Sequence, residues 1–208
     1  MARIIQRYND RERMNHWFMA LMFVLASLSG LAFFHPALFF FSNLFGGGQW
    51  TRILHPFMGV LMVVSFAGLF VRLWPQNRFD DADRAWSQRM GELLRNPKAA
   101  MPPVGKYNAG QKRVFWVAAA CLVVLLATGV LFWRPWFAPY VPIPLARAAV
   151  LLHSVAAVLF ILSTIVHVYA AIWVKGSVRA MTRGTVSEDW ARTHHELWYR
   201  EEMSKAGK

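Results

Sequence analysis

The sequence predicts an all-α integral-membrane protein, a single four-helix bundle occupying residues 1–208, and three observations carry that prediction. The 208 residues are 56% hydrophobic and only 16% charged, well away from the balance of an average soluble domain. Four runs, at about 14–34, 53–71, 114–133 and 148–174, approach or exceed the roughly 20 apolar residues that a helix needs to cross a bilayer. The basic residues alternate with those runs.

Taken in order, residues 1–13 form a short charged arm with Arg3, Arg7, Arg11 and Arg13. The first span resembles a signal peptide at its start, but it is longer than a usual apolar core and no small-residue cleavage site follows, so it reads as retained. Residues 35–51, HPALFFFSNLFGGGQWT, suggest a segment lying at the interface. The loop at 75–110 is basic, with a short surface helix expected over about 81–94. The third span holds Cys121, the only cysteine; it offers no disulfide and no metal-cluster motif, and reads as a small buried apolar residue. Residues 134–147, RPWFAPYVPIPLAR, predict a stiff outer turn with interfacial aromatics. Residues 175–208 form a basic tail in which His194 and His195 are expected to be solvated.

The formal charge of +12 could suggest nucleic acid, but its distribution describes topology. Twenty Lys and Arg lie in the arm, the middle loop and the tail, against Arg52, Arg134 and Arg147 in the other two connections. The positive-inside rule then places both termini and the middle loop in the cytoplasm. The partner expected is a lipid bilayer and not a nucleic acid.

The fourth span carries His153 and His167, and ionisable residues within spans are functional candidates. Fourteen residues of helix fall about 40° short of four full turns and rise about 21 Å. Both histidines therefore share a face, one toward each side of the membrane. Two ligands stacked at two depths suit two haems. By depth, His167 pairs with His16 at the inner start of span one, and His153 with His55 at the outer start of span two, where Pro56 is expected in the first helical turn. A bare zinc or copper ion does not suit two histidines per level. Gly30, Gly59 and Gly129, with Ser154, Ala156 and Ala157, are candidates for letting a macrocycle approach the backbone. Arg13, Arg52, Arg134 and Arg147 are at depths suited to propionates. His35, beside Pro36, is expected at the interface. Bis-histidine haem has no open position and carries electrons.

The motifs RMNHW, RILHPF, KYNAGQK, WRPWFAP, LLHS followed after twelve residues by HVYAAIWVKG, and THHELWY resemble, in that order and spacing, the cytochrome b (gamma) subunit of membrane-bound respiratory formate dehydrogenase. The resemblance runs from about Arg7 to Tyr199. It implies a four-span protein with two haem b in a bacterial inner membrane. That subunit anchors an Fe–S (beta) subunit and a molybdopterin catalytic (alpha) subunit on the periplasmic side, and the resemblance extends the expectation to a higher oligomer of the complex. Electrons would enter at the outer haem, on His55 and His153. They would pass to the inner haem, on His16 and His167, and reduce a quinone near Asn108, Gly110 and Gln111. The chain itself carries no formate chemistry. Asn108 and Gln111 offer hydrogen bonds there and Gly110 a close approach; a polar loop-to-helix junction would look the same. Two rivals stand beside this reading. One is the equivalent cytochrome b of a hydrogenase or sulfur-compound reductase, which the accompanying subunit would distinguish. The other is a haem-free, histidine-lined transporter or anchor, against which the dry stretch Val155 to Leu162 argues.

Overall fold

The computed structural model describes residues 3–96, 99–134 and 136–206. Lys98, Pro135 and Lys208, which enter the basic count and the WRPWFAP motif, lie outside them. A short strand β1 (Ile4–Gln6) precedes α1 (Asp10–Phe34), followed by a 3₁₀ run at Pro36–Phe45, α2 (Gly48–Leu73), α3 (Asp81–Gln88), α4 (Met90–Arg95) and α5 (Ala109–Leu131). The chain continues with α6 (Ile143–Trp173), α7 (Ser177–Arg183), β2 (Thr185–Ser187), α8 (Glu188–His194) and α9 (Glu196–Ala206).

The helices α1, α2, α5 and α6 are each long and apolar enough to cross a membrane. Each begins four or five residues before its apolar run; in α1, α2 and α5 the first turn is polar, and in α6 it carries Pro144 and runs up to Arg147. Asn9 and Glu12 start α1 with a reciprocal cap: each side chain accepts from the other's backbone N–H, both at 2.9 Å, satisfying donors that a helix start leaves open. Asp10 and Glu12 also suit the positive end of the helix dipole. His35 Nδ1 accepts from Ala37 N–H at the entry to the 3₁₀ run. Gly46 and Gly47 then adopt φ of 85° and 96°, a conformation that glycine alone takes at little cost.

That turn corrects one expectation. Because α2 begins at Gly48, Pro56 lies inside the helix and not in its first turn, and His55 sits about two turns in. The predicted surface helix of the loop is present as α3 and α4, broken at Arg89. The all-α prediction also misses β1 and β2, which pair antiparallel with Ile5 opposite Val186.

The chain forms two compact units. The membrane unit comprises Met14–Val71 and Val117–Ile165. Within it, Met22, Ala26, Ser29 and Ala32 make one buried stripe of α1, at the helical spacing of a single face. Cys121 and Leu122 of α5 and Ala156 and Phe160 of α6 are also buried, with Phe23 edge-on to Phe160 at 4.9 Å. Leu61, Val64, Val123, Leu151 and Leu159 are exposed, as a lipid-facing surface requires. Asn15 ties α1 to α2: its amide donates to the Ser65 carbonyl at 3.0 Å and its Oδ1 accepts from the Ser65 hydroxyl at 2.5 Å.

The loop-and-tail unit comprises Met1–Arg13, Arg72–Trp116 and Val166–Lys208. Far from being a solvated tail, its C-terminal helices enclose a small core of Ile5, Ala180, Val186, Ala191 and Trp198. Arg7 is buried beside it, its guanidinium 4.7 Å from the Trp198 ring and 5.0 Å from that of Trp190, a cation–π arrangement. Arg7 also donates to the Lys106 carbonyl and meets His195 Nε2 at 3.2 Å. His195, expected to be solvated, is only 2% exposed; its Nδ1 lies 2.8 Å from the Gly105 carbonyl. Neighbouring His194 is exposed.

Candidate functional site

His55 on α2 and His153 on α6 are brought together in the membrane unit. Their ring centres stand 6.3 Å apart, with planes inclined at 65°. Two metal–imidazole bonds of about 2.0–2.1 Å, each extended by roughly 1.1 Å from nitrogen to ring centre, span about 6.3 Å. The pair is thus spaced to take one metal centre between its rings. Among the described residues no cluster of three or more His, Cys, Asp or Glu forms. Two nitrogens fit a haem iron, which brings its own four, better than a bare ion.

The surroundings of the two rings repeat. Ser29 Oγ lies 2.8 Å from His55 Nδ1, and Thr128 Oγ1 lies 3.0 Å from His153 Nδ1. Beside each hydroxyl is a glycine: a Cβ on Gly30 would stand 3.3 Å from His55 Cε1, and one on Gly129 would stand 3.3 Å from His153 Cε1. Gly59, in contrast, faces open space. Phe132 meets the His153 ring edge-on at 5.2 Å. It also lines a cavity of about 410 Å³ with Arg134, Arg147 and Val150, which offers two cations to an anionic group.

The sequence reading missed Ser29 and Thr128. The available signal was a hydroxyl–glycine dipeptide, Ser29-Gly30 and Thr128-Gly129, lying 26 and 25 residues before a histidine. Hydropathy cannot see such a relation, because it links neighbouring helices.

His16 and His167 belong to different units. His16, in the membrane unit, follows the Asn15–Ser65 lock and is half-buried, edge-on to Trp17 at 5.4 Å. His167, in the loop-and-tail unit, lies on an exposed face of α6. The helix α6 is unbroken from Ile143 to Trp173, as the spacing argument for His153 and His167 requires.

In KYNAGQK, Asn108 and Gln111 form a reciprocal cap at the start of α5. Gln111 N–H donates to Asn108 Oδ1 at 2.9 Å, and Asn108 N–H to Gln111 Oε1 at 3.0 Å. Their NH2 ends take no part in the cap. The ring that approaches Gly110 is that of Trp86, 3.3 Å from where a Cβ would stand. Lys112, 3% exposed, donates to Asp83 at 2.6 Å, to Asp80 at 3.2 Å and to the Arg78 carbonyl at 2.9 Å. Burial alone would raise the Asp80 carboxyl, but the Asp83 N–H and the Lys112 ammonium outweigh it and hold Asp80 below its usual range. Tyr107 is buried, and burial, with Tyr8 beside it, pushes its phenol well above its ordinary value.

The membrane-length helices and the facing His55 and His153 rings fit a membrane cytochrome b. Residues 7–184 match the family model described as prokaryotic cytochrome b561, and the chain belongs to that family, which carries haem b binding with it. Among its relatives is the formate dehydrogenase cytochrome b556(fdo) subunit of Escherichia coli K12, 46% identical over 197 residues, covering 95% of this chain and 92% of that protein. The nitrate-inducible formate dehydrogenase cytochrome b556(Fdn) subunit of the same strain is 42% identical over 96% of this chain and 92% of its own length. A formate dehydrogenase cytochrome b556 subunit of Haemophilus influenzae is 39% identical over 97% of this chain and 84% of its own.

Proposed function

We propose that this chain is the two-haem cytochrome b subunit of a formate dehydrogenase, passing electrons from an Fe–S subunit on the outer side of a bacterial inner membrane to quinone near the cytoplasmic side. The observation that carries the reading is the His55–His153 pair at 6.3 Å, supported by relatives that are formate dehydrogenase cytochrome b subunits.

When bound, bis-histidine haem supplies one-electron transfer without an open coordination position. His55 and His153 hold the outer iron through Nε2, and Arg134 and Arg147 supply the cations its propionates need. His16 and His167 hold the inner iron. Asn108 and Gln111, through the NH2 ends left outside their cap, hold the quinone oxygen beside Gly110. Quinone takes two electrons from the outer side and two protons from the cytoplasm to give quinol, so each turnover adds to the membrane potential. Both termini are cytoplasmic in this arrangement. The catalytic alpha and Fe–S beta subunits complete the assembly, which can associate further.

The test is a reduced-minus-oxidised spectrum of the purified complex with haem quantified as the pyridine haemochrome. Two haem b per chain are expected. One would remove a ligand pair, and none would overturn the reading.

A further inference from the structure

We infer that Ser29 and Thr128 are positioning residues for the outer haem, holding His55 and His153 in the tautomer that presents Nε2 to iron and tuning how readily that iron is reduced. The inference rests on the ligand pair proposed above.

A hydroxyl has one hydrogen to give. Ser29 Oγ lies 2.8 Å from the Leu25 carbonyl and 3.0 Å from that of Ala26, so its hydrogen is spent on its own helix. Thr128 does the same toward the Val124 carbonyl at 2.6 Å. Each oxygen then faces a histidine Nδ1 with lone pairs only, and that nitrogen must carry the proton and donate it. With Nδ1 protonated, Nε2 keeps the lone pair that a metal needs. Ser29 is fully buried and Thr128 is 7% exposed, so water does not replace either hydroxyl. Gly30 and Gly129 leave room for the imidazole edge in the same turn.

Two independent helix pairs thus build one device: α1 serves the histidine of α2, and α5 that of α6. A donor hydrogen bond from Nδ1 makes the imidazole more electron-rich, which favours ferric iron. Removing a hydroxyl should therefore ease reduction of the outer haem and leave the inner haem unchanged as an internal control. The substitutions leave Nε2 of both histidines untouched, so both haems stay bound.

The experiment is a spectroscopic redox titration of the intact complex carrying Ser29→Ala, Thr128→Val or both, with Ser29→Thr and Thr128→Ser as hydroxyl-keeping controls. We expect two haems per chain in every variant. At a fixed potential, the ferric-to-ferrous ratio of one haem should fall severalfold in each hydroxyl-free variant and further in the double variant; tenfold in that ratio corresponds to about 59 mV for one electron. Thr128→Ser should behave as the parent. If Ser29→Ala or Thr128→Val sheds the haem that its hydroxyl-keeping control retains, the positioning role also holds. Unchanged potentials in the double variant would overturn it, as would equal haem loss with and without the hydroxyl. His153→Ala in the same series separates the two levels: retention of both haems there refutes the ligand pair itself, whereas loss of one haem there with no shift in the hydroxyl variants refutes only the positioning role.

Discussion

A histidine ring offers two nitrogens, and at His153 one is taken by Thr128 while the other is left for a metal. On the ligand scheme proposed above, an alanine there would remove half of the outer pair and leave His55 alone to hold the haem. His153→Ala is expected to lower haem content from two to one per chain and to block electron entry from the outer side, measured by pyridine haemochrome and by reduction with the electron-donating subunits in place. His195 obeys different physics. Burial, with Arg7 beside it, holds its imidazole well below the ordinary value. A histidine depressed in the folded state stabilises the fold above its unfolded value, near 6.5. That stability is lost as pH falls from there toward the folded value, because unfolding then takes up a proton. The loop-and-tail unit should lose stability as pH drops below about 6.5, read from the fluorescence of Trp190 and Trp198 on heating. His195→Gln should flatten that dependence.

At the scale of the element, α5 begins within KYNAGQK, so Asn108 and Gln111 serve the cap that the structure shows and the quinone contact proposed above. Asn108→Ala removes the cap, at roughly 1 kcal/mol, and would slow turnover even if no quinone touched it. Asn108→Asp keeps the Oδ1 acceptor of the cap and replaces the amide donor with a carboxylate oxygen, adding a negative charge that the helix N-terminus favours. The expected result is that Asn108→Asp keeps its thermal stability and both haems while quinone reduction slows at least severalfold. Unchanged turnover in Asn108→Asp would leave Asn108 as a cap alone. The helix α2 teaches a related lesson. Pro56 signals a helix start in sequence, yet the glycine turn at Gly46 and Gly47 starts the helix two turns earlier. A proline is then tolerated within the helix, as membrane helices allow where neighbouring groups satisfy the freed backbone.

For the whole molecule, the two compact units follow two solvents. In the membrane unit, helices expose apolar side chains and bury small and polar ones, so Ser29, Thr51, Ser65 and Thr128 are among its buried residues. In the loop-and-tail unit the core is built in the usual way, around Val186, Ala191 and Trp198. There a basic segment that looks unstructured by composition folds around one buried arginine. Removing Arg7 should therefore loosen the arm, the tail and the 105–107 turn together. Arg7→Ala is expected to raise amide exchange across β1, β2 and α8 while haem content matches that of the parent.

The four spans and the loop helix near 81–94 were legible in the sequence, because each is a local property. Length and hydropathy define a span, and helical period places His153 and His167 on one face of it. What only the tertiary structure decided is what meets what across helices. The Ser29 and Thr128 hydroxyls, the Trp86 ring over Gly110 and the Arg7–His195 contact join residues from 24 to 188 positions apart. No hydrophobic period encodes such pairings, since they depend on the rotation and depth of one helix against another, which packing alone fixes.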